Sequence, residues 1–394
     1  MKNFIKITNC DICGSSNLEN IINLKKFPLT GIFLKKNKKI RNFDNIFLVC
    51  KICGHGQLKN QVNPVYLYQK TYSHRSSQSP LAVQINNDFY KKLLDIKKNL
   101  TFDCVLEVGC NDLYLAKRIK KFAKKIIGVD PIWKDKILKI DKKTTVIGGF
   151  INENNLISNI KEQLGKSKIN LVISSHTFEH VDKIKDSLSK IVDIVDDECL
   201  FVIETPSLDS IVRNGHYDQI FHQHFHYLSE SSIKTLIQKL DCEFLGLDYN
   251  YRVWGGNVIF WFRKKSTPKK NIKNYFNFKK IKKDFKDYQI YCQNKVKYLK
   301  VQKENIVGFG AAQMLPIIAY HSKDDLSFLS YLFDDNKFRQ NKYLPLIKLK
   351  ISKTNEKIIK NSFVLITANE MCRPIIKRLE VLNPKRIYTW YSDF

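Results

Sequence analysis

The chain has 394 residues, of which 43% are hydrophobic and 12% are aromatic, and its formal net charge is +29. At about 150 residues per domain this length predicts two or three domains, and the apolar content excludes a chain disordered by composition. No run of about 18 uncharged apolar residues is present, and the apolar stretch after the first residues is too short for a signal peptide. We therefore expect a soluble, cytoplasmic, multi-domain protein.

The charge comes from 67 Lys and Arg against 38 Asp and Glu. A field of this sign attracts polyanions, so a basic, zinc-containing RNA-binding protein is the non-enzymatic alternative. The basic residues are mostly lysines spread through every segment, as on solvated faces. We therefore expect neither a nucleic-acid partner nor a membrane partner, and the charge alone does not predict the oligomeric state.

Two matched cysteine pairs lie near the start of the chain. Each has the spacing Cys-x-x-Cys and is followed directly by glycine, which lets the backbone turn around a metal ion. Four thiolates satisfy tetrahedral Zn²⁺ completely and leave no open position, so we expect a structural zinc and a strand-rich insert between the pairs. The predicted zinc ligands are Cys10, Cys13, Cys50 and Cys53.

Strand-like and helical runs alternate along the centre of the chain. Strand-to-turn units recur at 102–119, 124–131, 169–181 and 198–206. This alternation indicates a parallel, doubly wound sheet. The run at 244–262 alternates around Gly255-Gly256, which predicts an antiparallel hairpin at the sheet edge.

The final third begins with a lysine-rich stretch at 263–303 that contains Pro268. A strand, a glycine turn and a helix follow at 305–320, and strand-like runs at 329–345 and 362–370 complete a second, smaller α/β unit. The fold class predicted is α/β: a zinc-binding N-terminal module, a central Rossmann-like domain and a smaller Rossmann-like C-terminal domain. The boundaries expected are 1–80, 81–265 and 266–394.

The first central strand ends in a candidate cofactor loop. Gly109 lets the following backbone approach a ligand, and Asp130, which ends the next strand, is placed to accept hydrogen bonds from ribose hydroxyls. The loop lacks the G-x-G-x-x-G pattern, and the carboxylate of Asp112 would repel a pyrophosphate. Acidic groups instead suit S-adenosylmethionine, whose amino-acid portion is cationic and which has no phosphates. The cofactor residues predicted are Glu107, Gly109, Asn111, Asp112, Asp130, Phe150 and His176.

Six of the nine histidines lie between positions 176 and 226. His222, His224 and His226 alternate, so on an extended segment they would share a face. One interpretation is a metal site, and another is a general base with a pKa near neutrality. We favour the base, because no Asp or Glu alternates with the three histidines.

The order of these segments resembles the S-adenosylmethionine-dependent C-methyltransferases that build branched deoxysugars on nucleotide-diphosphate carriers. The resemblance rests on the N-terminal cysteine pairs and on EVGCNDLYL, HTFEHV, ETPSLDSI, YDQIFHQHFHYLS, WGGNV and GFGAAQM with FDDNKFRQNKYLP. It implies a zinc-binding domain, a central methyltransferase domain and a C-terminal domain that assists binding of a nucleotide-diphosphate sugar. It also implies a histidine that removes the proton alpha to a 4-keto group, after which the enolate attacks the cofactor methyl group.

Position by position, the resemblance places His224 as the base. The family's Tyr-His-Glu-His stretch reads Phe221-His222-Gln223-His224, so a hydroxyl and a carboxylate are absent here. His180, His222 and Gln223 take the positions that orient the substrate, and Gly149-Phe150 flanks the adenine. An upstream family tyrosine corresponds either to Tyr72 or to His74.

These departures keep two enzymatic alternatives open. A neutral Gln223 cannot raise the basicity of a neighbouring histidine as a carboxylate does, which leaves O-methylation of a sugar on the same scaffold as one alternative. A metal-dependent sugar-modifying enzyme that uses the alternating histidines is the other. In-line methyl transfer itself depends mainly on alignment and distance and tolerates both substitutions.

Overall fold

The computed structural model describes residues 4–67, 75–134, 136–153, 155–302 and 304–391. Three layered units follow one another along these ranges, and each is built around a sheet of its own. The α/β class predicted from the sequence is confirmed. No helix in the described ranges combines the length and the apolar character that crossing a lipid bilayer requires.

The N-terminal unit consists mainly of antiparallel strands. Two of its strands, β2 and β3, occupy the stretch between the cysteine pairs, as predicted, and pair along most of their length. A second small sheet joins β1 to β5. The elements are β1 (Phe4–Lys6), β2 (Leu18–Phe27), β3 (Phe43–Cys50), β4 (Gly56–Leu58), β5 (Asn60–Val62) and α1 (Pro64–Leu67).

The central unit contains an eight-stranded sheet with helices on its faces. Its elements are α2 (Pro80–Lys97), β6 (Phe102–Val108), α3 (Ala116–Ile119), β7 (Ala123–Val129), β8 (Ile137–Lys139), β9 (Thr144–Ile147), α4 (Leu156–Leu164), β10 (Ile169–Ser175), α5 (Ile184–Val192), β11 (Leu200–Pro206), α6 (Leu208–Asn214), β12 (His226–Tyr227), α7 (Glu230–Lys239), β13 (Glu243–Asn250) and β14 (Asn257–Arg263). The strand order is β13-β14-β11-β10-β6-β7-β9-β8. The predicted hairpin is β13 and β14, which pair antiparallel at one edge.

The position of the site follows from this order. The chain builds β6, β7 and β9 outward in one direction and then returns to add β10 and β11 on the other side of β6. Neighbouring residues Cys104, Val105 and Leu106 of β6 are all fully buried, because helices cover both faces of the strand. In such sheets ligands bind where the strand order reverses, beyond the carboxyl ends of the strands. The crevice between the ends of β6 and β10 is therefore the expected binding position.

The C-terminal unit repeats this plan with five parallel strands. Its order is β17-β16-β15-β18-β19, so the reversal lies between β15 and β18. The elements are α8 (Phe278–Val301), β15 (Ile306–Phe309), α9 (Leu315–Ser322), β16 (Leu332–Phe333), β17 (Ile351–Ser352), α10 (Glu356–Lys360), β18 (Phe363–Ile366), α11 (Cys372–Leu382) and β19 (Arg386–Tyr388). The long helix α8 packs on α9 and on β2, so it connects this unit to the N-terminal one.

The three units meet around the histidine-rich segment. Strand β12 leaves the central unit and pairs with β4, so it completes a four-stranded sheet in the order β12-β4-β3-β2. At the same junction, a Cβ atom on Gly31 would lie 3.4 Å from the Gln313 amide oxygen and 3.5 Å from the Gln223 amide nitrogen. Residues of all three units therefore come together beside the predicted catalytic segment.

Candidate functional site

The four predicted zinc ligands form one cluster. The Sγ atoms of Cys10 and Cys53 are 3.6 Å apart, those of Cys13 and Cys50 are 3.5 Å apart, and all four lie within 4.8 Å of one another. A zinc ion bonded to four sulfurs requires sulfur–sulfur edges of about 3.8 Å, so the cluster fits this metal. Hydrogen bonds among the four thiols lower the pKa values of Cys13 and Cys50 and raise those of Cys10 and Cys53.

The candidate cofactor loop begins where β6 ends. Gly109 has a φ of +81°, and a Cβ atom there would lie only 1.8 Å from the Thr177 hydroxyl, in the loop that follows β10. Only glycine allows the two loops to approach this closely. The backbone N–H groups of Asn111 and Ile132 donate to the two oxygens of Asp130, each at 2.9 Å. The loop is thus fixed to the end of β7 by the carboxylate predicted to contact the ribose.

Three carboxylates converge on this loop. Burial, followed by the charges of Asp130 and Asp112, raises the pKa of Glu107 well above its usual value. The Glu107 Oε2 and Asp112 Oδ1 atoms are buried and have no hydrogen-bond partner among the described residues. A cationic ligand would relieve both the charge repulsion and the missing contacts. The chemistry of these groups therefore fits S-adenosylmethionine, which carries positive charge and no phosphate.

A segment of the chain between the N-terminal and central units covers part of this loop. The Ser76 N–H donates to Asn111 Oδ1 at 3.1 Å, and the Ser77 hydroxyl donates to Asp112 Oδ2 at 2.5 Å. Asp112, a predicted cofactor residue, thus has one carboxylate oxygen engaged by Ser77 and the other without a partner among the described residues. Both Tyr72 and His74 lie outside the described residues.

Phe150 and His176 lie on two sides of the crevice. The Phe150 side chain is 45% exposed, in the turn that follows β9. The Nδ1–H group of His176 donates to Glu179 at 3.0 Å, and its Nε2 atom lies 2.7 Å from the amide nitrogen of Asn257. Burial lowers the pKa of His176, but the hydrogen bond and charge of Glu179 outweigh that effect and raise it.

His180 and His224 lie in edge-to-face contact beside the loop that follows β10. The Nδ1–H group of His180 donates to the Gln223 carbonyl at 2.8 Å, and the ring centroids of the two histidines are 5.0 Å apart. Burial, together with the nearby charge of His180, holds the pKa of His224 well below its usual value. Its Nδ1 atom is buried and makes no hydrogen bond to the described residues. His224 is consequently neutral near pH 7 and able to accept a proton.

The alternating histidines do not share one face. His226 lies in strand β12, whereas His222 lies in a turn and His224 lies between that turn and the strand. His222 is enclosed by Phe27 and Phe43, and burial lowers its pKa to about 4. His226 instead donates through Nε2 to the Val181 carbonyl at 2.7 Å. The expectation of three co-facial histidines is therefore wrong, because it required an extended backbone that this segment does not adopt.

His226 also reaches the zinc cluster through a residue that sequence analysis missed. Its Nδ1 atom lies 3.2 Å from Nε2 of His55, and Nδ1 of His55 lies 3.5 Å from Cys10 Sγ. His55 follows directly after the second cysteine pair and its glycine. Its closeness to a metal-ligand motif was the available signal, but its buried partner could not be foreseen.

Glu179 is the second missed residue. It is 1% exposed, and its Oε1 atom lies 3.0 Å from His176 Nδ1 and 3.9 Å from His180 Nε2. Single ligand atoms of Glu179, His180 and His224 lie within 4.8 Å of one another, a separation that would also admit a cation. The sequence signal was HTFEHV itself, in which the acid lies three residues after one histidine and directly before another.

The C-terminal unit carries a similar loop at its own reversal point. The N–H group of Ala311 donates to Asp334 Oδ2 at 2.7 Å, and the same oxygen lies 3.2 Å from the guanidinium of Arg339. Asp334 ends β16 as Asp130 ends β7. Unlike the central loop, this one therefore includes a basic side chain.

Two parts of the chain match known protein families. Residues 81–246 match a family model described as "Methyltransferase domain", and residues 10–68 match one described as "Putative zinc binding domain". Residues 81–246 are a methyltransferase domain. This domain is the S-adenosylmethionine-binding part of the chain. The four-cysteine cluster lies in the N-terminal unit and is the zinc site of the chain.

The chain is similar to the C-methyltransferase NovU of Streptomyces niveus, with 25% identity over 261 residues. That match covers 64% of this chain and 60% of NovU, so it spans less than two thirds of the relative.

Two solved structures are similar to part of the chain. The N-methyltransferase NodS of Bradyrhizobium japonicum, in complex with S-adenosyl-L-homocysteine, has 11% identity and a TM-score of 0.34, and the match covers 48% of this chain and 89% of NodS. The CurJ carbon methyltransferase has 12% identity and a TM-score of 0.36, with coverage of 52% and 62%. Both TM-scores are below 0.5, so these two structures support no inference about substrate.

Proposed function

We propose that the protein transfers a methyl group from S-adenosylmethionine to carbon on a nucleotide-diphosphate keto sugar, with His224 as the general base. The observation that carries the proposal is the neutral, buried imidazole of His224 beside the crevice that holds the cofactor loop. The similarity to a relative named as a C-methyltransferase supports carbon as the acceptor.

The crevice residues divide between cofactor and substrate. Asp130 would hold the ribose, because each of its oxygens keeps one lone pair after accepting a backbone N–H group. Glu107 and Asp112 would face the cationic amino-acid portion, and Phe150 would cover the adenine. When bound, the cofactor supplies an electrophilic methyl group on a sulfonium ion.

His224 would act as the general base on the sugar. A ring nitrogen of His224 would take the proton from the carbon beside the ketone, and the electron pair left on that carbon would form the new bond to the methyl group. The methyl–sulfur bond would break at the same time, with its electron pair staying on the sulfur. General-base catalysis of this kind contributes roughly 10²- to 10⁴-fold in rate. The peptide carbonyl of Gln223 holds His180 in place, and His180 in turn would orient the sugar against the base.

His222 supports this arrangement from outside the crevice. It packs between Phe27 and Phe43 of the N-terminal sheet and therefore fixes the turn that carries His224. We assign to it the positioning of that turn rather than contact with the substrate. Gln223, whose amide lies at the junction with Gly31 and Gln313, is the group best placed to contact the sugar nucleotide.

The C-terminal loop would bind the nucleotide diphosphate. Arg339 supplies a guanidinium beside the glycine turn, and such a group suits phosphate oxygens. Gln313, in the same loop, reaches the junction with Gln223. A sugar placed at His224 and a diphosphate placed at Arg339 would thus belong to one ligand that spans two units.

The test is a product analysis. Purified protein is incubated with S-adenosylmethionine carrying a trideuterated methyl group and with thymidine- and uridine-diphosphate 4-keto-6-deoxyhexoses. We expect one trideuteromethyl group on a carbon next to the ketone, and no transfer to matched sugars that lack the ketone. Transfer to a hydroxyl oxygen would replace the proposal with O-methylation, and His224→Ala with normal turnover would remove His224 as the base.

A further inference from the structure

A buried carboxylate, that of Glu179, lies beside the proposed base. Glu179 lies in the short 3-10 helix Phe178–His180 and is almost completely inaccessible to solvent. Burial would raise the pKa of this carboxyl, yet the hydrogen bond and the charge of His176 outweigh burial and lower it. The group is therefore ionised at any pH at which the protein would work.

The titratable groups around His224 determine how easily its ring holds a proton. The titratable groups that face its ring are Glu179 and His180 in the 3-10 helix, His176 in the loop after β10, and Tyr227 in its own segment. Of these, only Glu179 acts to stabilise a proton on His224, since both histidines disfavour it. Gln223, the residue beside the base, is neutral.

Proton abstraction creates a positive charge at a buried position. His224 is only 9% exposed, and an imidazolium there loses most of its hydration. An opposite charge within about 4–6 Å recovers much of that cost. A carboxylate oxygen of Glu179 lies within 4.8 Å of a His224 ring nitrogen, so it meets this condition.

We propose that Glu179 is the counter-charge of the catalytic base: it stabilises the imidazolium that forms on His224 during proton abstraction, while its hydrogen bond to His176 and its contact with His180 keep it in place. This inference rests on the proposed function, because it takes His224 as the base. Glu179 is a positioning residue, since it acts through the histidine and not on the substrate.

The experiment compares Glu179→Gln with the wild type on a thymidine-diphosphate 4-keto-6-deoxyhexose. We expect kcat to fall about a hundredfold, while KM for the sugar and the Kd for S-adenosylhomocysteine stay within about twofold. Removal of the negative charge lowers the pKa of His224, so the acid limb of the kcat profile should move to lower pH by about one unit. Loss of packing alone would not move that limb.

Two further variants keep the test decisive if Glu179→Gln folds poorly. Glu179→Asp retains the charge and should restore the position of the acid limb with partial recovery of kcat. The matched control is Glu204→Gln, which removes another fully buried carboxylate of the same hydrogen-bonded group, held by Ser175 and Asn257. It should leave the acid limb where it is.

A readout that needs no sugar completes the design. In protein labelled with ¹³C-histidine and saturated with S-adenosylhomocysteine, His224 should titrate at lower pH in Glu179→Gln than in the wild type. An unchanged titration, or an unchanged limb with normal kcat, would overturn the role of Glu179. So would a second equivalent of bound metal that disappears in Glu179→Gln, because the carboxylate would then be a ligand.

The two proposals fail in different ways. If the wild type methylates the keto sugar and His224→Ala does not, normal kinetics in Glu179→Gln reject only the counter-charge. If the wild type never acts on keto sugars, the proposed function fails, and the histidine titration still decides whether Glu179 supports the charge of His224.

Discussion

The central and C-terminal units share one backbone arrangement and surround it with side chains that differ in charge. In both, a glycine turn follows the strand at the reversal point, and a loop N–H group donates to an Asp at the end of the next strand, at 2.9 Å for Asp130 and 2.7 Å for Asp334. The side chains differ: the central loop gathers Glu107 and Asp112, whereas the C-terminal loop places Arg339 against its Asp. The backbone is thus alike in the two loops, and under the proposed function the local charge selects the ligand of each.

The largest effect should come from the close approach of the two central loops. Gly109→Ala would place a methyl group 1.8 Å from the Thr177 hydroxyl, so the loops must separate. We expect binding of S-adenosylhomocysteine to weaken by about a hundredfold or more in calorimetry, because the crevice loses its shape. Gly165→Ala is the control, since its φ is also positive, at +61°, but no atom lies within 4 Å. It should cost about 1 kcal/mol of stability and leave cofactor binding intact.

An effect of intermediate size is expected when Asp130 and Asp334 are each replaced by asparagine and cofactor affinity is compared. Asp130→Asn removes the carboxylate that we propose accepts hydrogen bonds from the ribose hydroxyls, so we expect about tenfold weaker binding of S-adenosylhomocysteine. Asp334→Asn makes the same chemical change in the C-terminal loop and should leave that affinity within about twofold. An equal loss of affinity for S-adenosylhomocysteine in the two variants would contradict the proposal that the two units bind different parts of the ligands.

The smallest of the three effects concerns Arg339. Arg339→Gln removes the charge that would face a phosphate, so KM for the nucleotide sugar should rise about fivefold with kcat almost unchanged. Arg378→Gln is the matched control, because that side chain pairs at the surface with Asp335 and Glu356. A KM that responds equally to both changes would show only a general effect of positive charge.

Features set by local sequence were predictable. The cysteine pairs, the strand that ends in Gly109 and the hairpin β13–β14 depend on spacing and periodicity within short stretches, and the structure has each of them. The second α/β unit followed from the same reasoning, because a strand, a glycine turn and a helix recur after Pro268.

Features set by contacts distant in sequence were not predictable. Alternation of His222, His224 and His226 suggested an extended segment, but the residues before β12 form a turn and only two residues pair with β4. His222 therefore packs on Phe27 of the N-terminal unit, whereas His224 packs on His180 of the central unit. Glu179 was missed for a similar reason. Its importance depends on His224, which lies far along the chain and reaches the carboxylate only after the units assemble.

The most direct test of the account is exchange of the sugar's acidic proton in D₂O. With S-adenosylhomocysteine bound, no methyl transfer occurs, so mass spectrometry of the recovered 4-keto sugar reports proton abstraction alone. The account predicts that the wild type introduces deuterium beside the ketone and that His224→Ala does not. Methyl transfer by a wild-type enzyme that introduces no deuterium, or equal exchange by both proteins, would contradict it.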